Sequence, residues 1–331
     1  MSDVGSALNF DVVCADIVAF PADVIALKYA QDLHGADKQV VECLRSVLPN
    51  IDSVLPHSDA AELLPSRGTL ASKFVLLVGT VPLTYLRYQQ IRDFGRSVIE
   101  HLARVAPKTE HLAMTIHGVR YGLDEFEAFK AQIAGITEAV TIGRTPAALK
   151  KISIVELDQK RASRLKQFLS DLPKAGSTEN QDSSFERSRT NLTDELRGVG
   201  YRSEDKAHVF VAMPFTTEMD DVYHYGIVGA VRQAGFVCER ADLSSFTGDI
   251  LQWVRDRIRS ASLVIADLSS ANPNVYLEVG YAWGCNIPTI LLASKNEDLK
   301  FDVRGQRCLL YKSIRNLEQL LTKELQNLPV A

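Results

Sequence analysis

Glu278 is the residue of this sequence best placed to do chemistry. It stands in the apolar run VYLEVGYAW, whose other members are all uncharged. This run predicts a helix with Glu278 on its first turn, where the helix dipole would keep the carboxylate ionised. An ionised carboxylate can act as a nucleophile or stabilise an oxocarbenium-like centre. The alternative is an acid that only helps to cap the helix.

Three polar turns come where predicted strands end. MPFTT follows one apolar strand, DLSSANPN follows a second and ASKNE follows a third. In parallel α/β sheets, ligands bind at the carboxyl ends of the strands. The first turn offers backbone N–H groups and hydroxyls to a phosphate or carboxylate, and the second leads directly into the Glu278 helix. These turns are therefore the predicted walls of a binding site.

The elements that would position this site alternate from residue 208 to residue 331. Helices are predicted at about 221–234, in DILQWVRDRIRSA, in VYLEVGYAWGCN and in SIRNLEQLLTKELQNL. Strands are predicted at HVFVAMPF, FVCERAD, SLVIADLS, IPTILLAS and RCLLYK. Such alternation predicts a doubly wound parallel sheet of the flavodoxin-like kind.

Residues 1–170 predict a separate α/β domain. Strands are expected in DVVCADIVAF, DVIALKYA, SKFVLLVGT, HLAMTIHG and KISIVEL, and helices in 86–104, DEFEAFKAQIAGITEAV and QKRASRLKQFLSDL. This pattern indicates a largely parallel or mixed sheet covered by helices. The polar stretch 171–207 cannot offset its ordering entropy by burial and is predicted to be a linker.

Composition excludes several classes of function. The 331 residues suggest two domains, and a net charge of −4 argues against nucleic-acid binding. No apolar run reaches the roughly 18 residues of a membrane span, and the N-terminus has no secretion signal. The five scattered cysteines indicate a reducing cytosol, so we expect a cytoplasmic protein. No group of residues has zinc-ligand spacing, so no metal is expected.

The run VFVAMPF, followed later by ADLSSANPNVYLEVGYA, resembles the nucleoside 2-deoxyribosyltransferase superfamily. That superfamily is close in fold to TIR-like NAD-cleaving domains. The resemblance implies that Glu278 attacks the anomeric carbon or stabilises charge there. Where the family has an acid that protonates the base, this chain has Val254, with Asp256 as a candidate substitute. The substrate-binding residues implied are Met213, Pro214, Phe215, Asp256, Asp267, Asn272 and Asn274.

The first half resembles a macro-like domain of the leucyl aminopeptidase N-terminal type. The match runs through FDVVCADIVAFPADVIALKYAQDLHGA, SKFVLLVGT and KISIVEL. It implies a nucleotide site in which Asp16 binds adenine. The glycine-rich stretch that binds ribose and phosphate is reduced here to Leu33, His34 and Gly35.

Together these resemblances imply N-glycosidic cleavage of NAD or a related nucleotide. NAD is favoured because nicotinamide leaves as a neutral group and needs less acid assistance. The nucleotide is substrate, and no permanently bound cofactor is expected. Fusions of this kind resemble ligand-triggered, homo-oligomeric antiviral effectors. Two alternatives stay open: a nucleoside or nucleotide 2-deoxyribosyltransferase, and a non-catalytic nucleotide-binding signalling module.

Overall fold

The computed structural model describes residues 8–171, 196–240, 250–294, 303 and 306–327. The chain divides into two compact units. The first extends to Val119 and includes Glu125–Ser203, and the second takes Arg120–Asp124 and the residues from Glu204 onward. Among the described residues, no helix has the length and apolar character needed to cross a membrane.

The first unit is a mixed sheet with helices. Its sheet has the order β1-β6-β5-β2-β4-β3, and only the β3–β4 pair is antiparallel. This confirms the expectation of a mixed α/β sheet. The strands are β1 Asn9–Cys14, β2 Val24–Tyr29, β3 Ala61–Pro65, β4 Phe74–Gly79, β5 His111–Met114 and β6 Lys151–Glu156; the helices are α1 Ala36–Arg45, α2 Tyr88–Val105, α3 Glu125–Thr141 and α4 Gln159–Asp171.

Two glycines bring helices α2 and α3 into close contact. A Cβ added to Gly135 would overlap the carbonyl oxygen of Arg92, and one added to Gly95 would overlap that of Gln132. Only hydrogen atoms at these positions let the two backbones approach this closely.

Most of the predicted linker, residues 172–195, lies outside the described residues. Its residues 196–203 belong to the first unit and its residues 204–207 to the second. The buried Arg92 guanidinium donates a hydrogen bond of 2.9 Å to the Leu196 carbonyl oxygen and another to that of Val199. Residues 196–203 are therefore held against helix α2.

The second unit contains one fully parallel sheet, in the order β11-β10-β9-β7-β8. Read by position along the chain, this is the 2-1-3-4-5 order of flavodoxin-like folds, as predicted. The strands are β7 His208–Ala212, β8 Val237–Glu239, β9 Leu263–Asp267, β10 Thr289–Ser294 and β11 Cys308–Tyr311; the helices are α5 Thr217–Asp221, α6 Val228–Gln233, α7 Ile250–Ser260, α8 Pro273–Gly284 and α9 Ile314–Gln326, with a π-helical segment Val222–Ile227 between α5 and α6.

Helices cover both faces of this sheet. The segment from α5 to α6 packs with α9 in one hydrophobic cluster, while α7 and α8 share the other. Every residue of β7 and β9 is buried, as expected of central parallel strands. The helices that follow these two neighbouring strands therefore lie on opposite faces, and the chain leaves a crevice between them at the carboxyl edge.

Candidate functional site

The turns after β7 and β9 begin side by side. Ala212 pairs with Ala266, so Met213 and Asp267 are the next residues along their strands at the same edge of the sheet. This is the topological switch point of the fold, where α/β proteins bind ligands. The structure thus brings together two of the three turns selected from the sequence, and most of the third turn lies outside the described residues.

The turn after β9 has an unusual backbone. Ser270 and Ala271 adopt φ angles of 65° and 47°, the left-handed region that residues other than glycine rarely enter. Each such residue costs on the order of 1 kcal/mol. The turn ends at Asn272, whose side-chain oxygen accepts a 2.9 Å hydrogen bond from the Asn274 backbone N–H. Asn272 is thereby the N-cap of α8.

Glu278 lies on α8, half-buried beside the core-facing Val275 and Val279. The helix begins at Pro273, which places Glu278 in the second turn and corrects the predicted position in the first. Among the described residues its carboxylate has no hydrogen bond or ion pair. Burial raises the pKa of Glu278 to about 7. The helix dipole acts mainly within the first turn, so it does not keep this carboxylate fully ionised as the sequence suggested.

Asp267 is fully buried at the end of β9. Its carboxylate accepts hydrogen bonds of 2.9 Å from the Tyr311 hydroxyl and from the Ser269 backbone N–H. The Ser269 hydroxyl in turn accepts a hydrogen bond from the Ser294 backbone N–H. These bonds tie the turn after β9 to strands β10 and β11. Asp267 therefore holds the turn that leads to Glu278.

The turn after β7 presents a mixture of buried and exposed residues. Met213 and Pro214 are buried, whereas Phe215 is 38% exposed. Arg240, the residue after β8, places its guanidinium carbon 4.8 Å from the centre of the Phe215 ring. Arg240 is not recognisable as a site residue from the sequence, because its partner Phe215 lies 25 positions earlier and only the pairing of β7 with β8 brings them together.

Three predicted substrate-binding residues are exposed or act as a helix cap. Asp256 lies on the exposed face of α7, where its carboxylate accepts a 3.0 Å hydrogen bond from the Gln252 side chain. Val254, on the same helix, is buried in the core. The Asn274 side chain is exposed, and Asn272 serves as the helix cap. Helix α7 consequently supplies no buried acid next to Val254.

In the first unit, the predicted ligand residues follow strands that are not neighbours. Asp16 follows the edge strand β1 and accepts a 3.0 Å hydrogen bond from the Val18 backbone N–H. His34 and Gly35 follow β2, which is separated from β1 by two strands, a distance of roughly 14 Å at the usual strand spacing. His34 is half-buried and its ring lies 3.7 Å from the Asp32 carboxylate. The strands that lead to Asp16 and to this pair are therefore not neighbours in the sheet.

Buried polar residues that the sequence analysis did not select surround the end of β2. The Lys28 ammonium lies 3.7 Å from the Asp37 carboxylate, and both side chains are almost fully buried. Burial lowers the pKa of Lys28, against the opposing attraction of Asp37. His117, beyond β5, is also buried, and its Nε2 atom has no hydrogen-bond partner among the described residues. In the sequence, the signal for this buried polar group is a lysine within the otherwise apolar strand segment VIALKYA.

Among the described residues, no cluster of three or more His, Cys, Asp or Glu side chains could hold a metal ion. Among the described residues of the second unit, the Glu278 carboxyl group is a candidate reactive group. A carboxyl group with a pKa near neutrality can exist in both protonation states at physiological pH. It can therefore stabilise positive charge, attack a carbon atom or exchange a proton with water.

No family model and no curated protein matches this chain. Among solved structures, a Trypanosoma brucei macrodomain in complex with ADP-ribose is similar at 14% identity and a TM-score of 0.40, over 48% of this chain and 68% of its own. An Oceanobacillus iheyensis macrodomain mutant is similar at 13% identity and a TM-score of 0.37, over 52% and 93%. A Clostridium botulinum CMP N-glycosidase is similar at 19% identity and a TM-score of 0.30, over 35% and 98%. The chain spans about two thirds of the length of the trypanosome macrodomain chains.

Proposed function

We propose that the second unit cleaves the N-glycosidic bond of a nucleotide and that Glu278 is the group at the anomeric carbon. The observation that carries this proposal is a half-buried carboxyl group without a partner among the described residues, on the helix that follows the switch-point strand β9. A buried carboxyl group without a partner lowers the stability of the folded protein, so a functional role best explains its presence.

The reaction is a substitution at the anomeric carbon of the ribose. The bond between this carbon and the base nitrogen breaks, and the base leaves with the bonding electron pair. The Glu278 carboxylate stabilises the positive charge that develops on the sugar or forms a transient ester with it. Water then supplies the hydroxyl group of the sugar product and releases one proton.

NAD is the substrate that this site favours. In NAD the ring nitrogen of nicotinamide is positively charged, so the departing electron pair leaves it neutral and no protonation of the base is needed. The position at which related enzymes carry the protonating acid is the buried Val254, and the nearby Asp256 lies on the exposed face of α7. Within the described helix α7, no buried acid lies next to Val254, and this supports a leaving group that needs no acid.

The macro-like first unit is part of the same proposal, as a nucleotide-binding regulator of the second. The sequence resemblance supports a ligand-triggered, oligomeric role in antiviral defence. If assembly controls activity, nicotinamide release per molecule should rise with protein concentration. A rate strictly proportional to protein concentration would mean that assembly does not control the activity.

The substrate is identified by incubating the full chain with NAD, the ribonucleoside 5′-monophosphates and deoxynucleosides and analysing the products by mass spectrometry. We expect free base and a hydrolysed sugar phosphate product. Base exchange between deoxynucleosides, with NAD left intact, would instead identify a deoxyribosyltransferase. Binding without cleavage under every condition would identify a signalling module. Either result would replace the proposed function.

A further inference from the structure

A cluster around Arg240 lies beside the turn after β7. We call it the Arg240 cluster: Met213, Phe215, Asp220, Tyr223 and Arg240. The guanidinium carbon of Arg240 lies 4.2 Å from the centre of the Tyr223 ring and 4.8 Å from that of Phe215. One terminal nitrogen donates a 2.6 Å hydrogen bond to the Asp220 carboxylate. The cluster fixes a permanent cation at the carboxyl edge of the sheet.

The polar partners of the Arg240 guanidinium are of a kind that a ligand can replace. Asp220 is 47% exposed, so its ion pair with Arg240 reaches solvent, whereas Arg240 itself is only 12% exposed. Its other polar contact among the described residues is with the Met213 sulfur at 3.8 Å, and a thioether is a weak acceptor. A guanidinium held in place by aromatic rings presents N–H donors whose geometry matches the oxygens of a phosphate.

The π-helical segment between α5 and α6 holds one side of the cluster. Tyr223 belongs to it and is buried, with its hydroxyl donating a 3.2 Å hydrogen bond to the Cys238 carbonyl oxygen in β8. This bond links the π-helical segment to β8, the strand that directly precedes Arg240. The position of the guanidinium is therefore set by two elements, independently of Asp220.

Arg240 and Glu278 follow the strands on either side of β7. Arg240 comes directly after β8, and Glu278 lies on the helix that follows β9. Strands β8 and β9 lie two strand spacings apart, roughly 10 Å. A ribose carrying a 5′ phosphate, with one contact distance at each end, is long enough to reach across that interval. The turn between them, Met213–Phe215, is the one from which phosphate binding was expected.

We propose that Arg240 binds the 5′ phosphate of the ribose whose glycosidic bond is cleaved, displacing Asp220 as the partner of the guanidinium. This inference rests on the proposed function and specifies its substrate class: a nucleotide is accepted and the corresponding nucleoside is not. Asp220 is the counter-ion that occupies the guanidinium in the free protein. Arg240 thereby determines specificity, while Glu278 acts on the bond.

The test compares nicotinamide mononucleotide with nicotinamide riboside, which differ only in the phosphate. Their affinities are measured by calorimetry on the full chain carrying Glu278→Gln, so that turnover does not interfere. We expect the mononucleotide to bind at least about tenfold more tightly, since a charge-assisted, bidentate contact is worth this much. The further change Arg240→Gln should abolish the advantage, and Asp220→Asn should preserve or increase it.

Arg240→Lys keeps the positive charge but loses the planar guanidinium, so we expect the affinity advantage of the mononucleotide to fall to an intermediate value. Thermal melting of each variant confirms that it is folded. Two results overturn the proposal: equal affinity for the two ligands before Arg240 is changed, or an equal loss for both after Arg240→Gln. Because binding is measured without turnover, an intact phosphate preference in a protein that never releases nicotinamide would refute the proposed cleavage and leave the phosphate site standing.

Discussion

The Glu278 carboxyl group lowers the stability of the protein at the pH at which it is expected to act. Its pKa is about 7 in the folded chain, against an ordinary value of 4.5. The unfolded chain therefore releases this proton first, and stability is lost as the pH rises through 7. Above that pH, Glu278→Gln should increase the free energy of unfolding by about 1–3 kcal/mol.

Denaturant unfolding at pH 8 and at pH 5 measures this difference, which should shrink at the lower pH. The exposed Glu318 provides the control, since Glu318→Gln should have little effect at either pH. A Glu278→Gln protein less stable than the wild type at pH 8 would mean that the carboxylate is a structural partner after all.

The same carboxyl group predicts a pH profile for the reaction. Only the ionised form can stabilise a cationic sugar, so kcat/KM for NAD should decrease about tenfold per pH unit below 7 and level off above it. Initial rates of nicotinamide release between pH 5 and pH 9 give this profile. A rate independent of pH across that range would be incompatible with ionised Glu278 as the active form.

At this scale the sequence identifies Glu278 but not its neighbours. The isolated acid in VYLEVGYAW can be recognised without a structure, because the other residues of this predicted helix are uncharged. Arg240 is not visible, since its contacts with Phe215 and Tyr223 depend on strand pairing. The predicted helix begins at Val275, so Asn272 is not recognised as its N-cap, although Asn followed by Pro273 is a sequence signal for a helix start.

The start of helix α8 is the element on which the position of Glu278 depends. Asn272→Ala removes the N-cap acceptor and should lower stability by about 1 kcal/mol. Asn272→Asp retains an acceptor and should cost little. The exposed Asn274 contributes only its backbone N–H to the cap, so Asn274→Ala is the matched control. Equal losses for Asn272→Ala and Asn274→Ala in thermal unfolding would argue against the cap.

The second prediction at this scale concerns the close packing of helices α2 and α3. Gly135→Ala should lower stability by about 1–3 kcal/mol or more, because the new methyl group meets the Arg92 backbone. Gly280→Ala in α8 meets no atom within 4 Å and should raise stability by about 0.5–1 kcal/mol. Denaturant unfolding of both variants tests this, and a stabilised Gly135→Ala protein would contradict the packing.

Long apolar strands and amphipathic helices were predictable from the sequence, whereas short elements at the edges were not. In α9, Leu317, Leu321 and Leu325 repeat at helical spacing and are all buried. The sequence analysis did not select helix α1 or strand β3. Helix α1 is only ten residues long and opens with ADKQ before its apolar Val40, Val41 and Leu44, and β3 is a five-residue antiparallel edge strand that ends in proline, so neither pattern is long enough to stand out.

At the scale of the whole molecule, the chain carries two α/β units, each with polar residues at the carboxyl ends of its strands. The two sheets differ in the way that their sequences indicated: the first is mixed and the second is fully parallel. In the second unit an arginine and the helix that carries Glu278 follow the two strands that flank β7. In the first unit the predicted adenine contact and the reduced glycine-rich stretch follow non-adjacent strands.

The central claim is that Glu278 enables this protein to cleave the bond between nicotinamide and ribose. The most direct measurement is nicotinamide release from NAD by the full chain, by the Glu278→Gln variant and by the Glu318→Gln control. The account predicts release by the wild type and the control and a loss of about a hundredfold or more in Glu278→Gln. Release by Glu278→Gln at the rate of the wild type would contradict it.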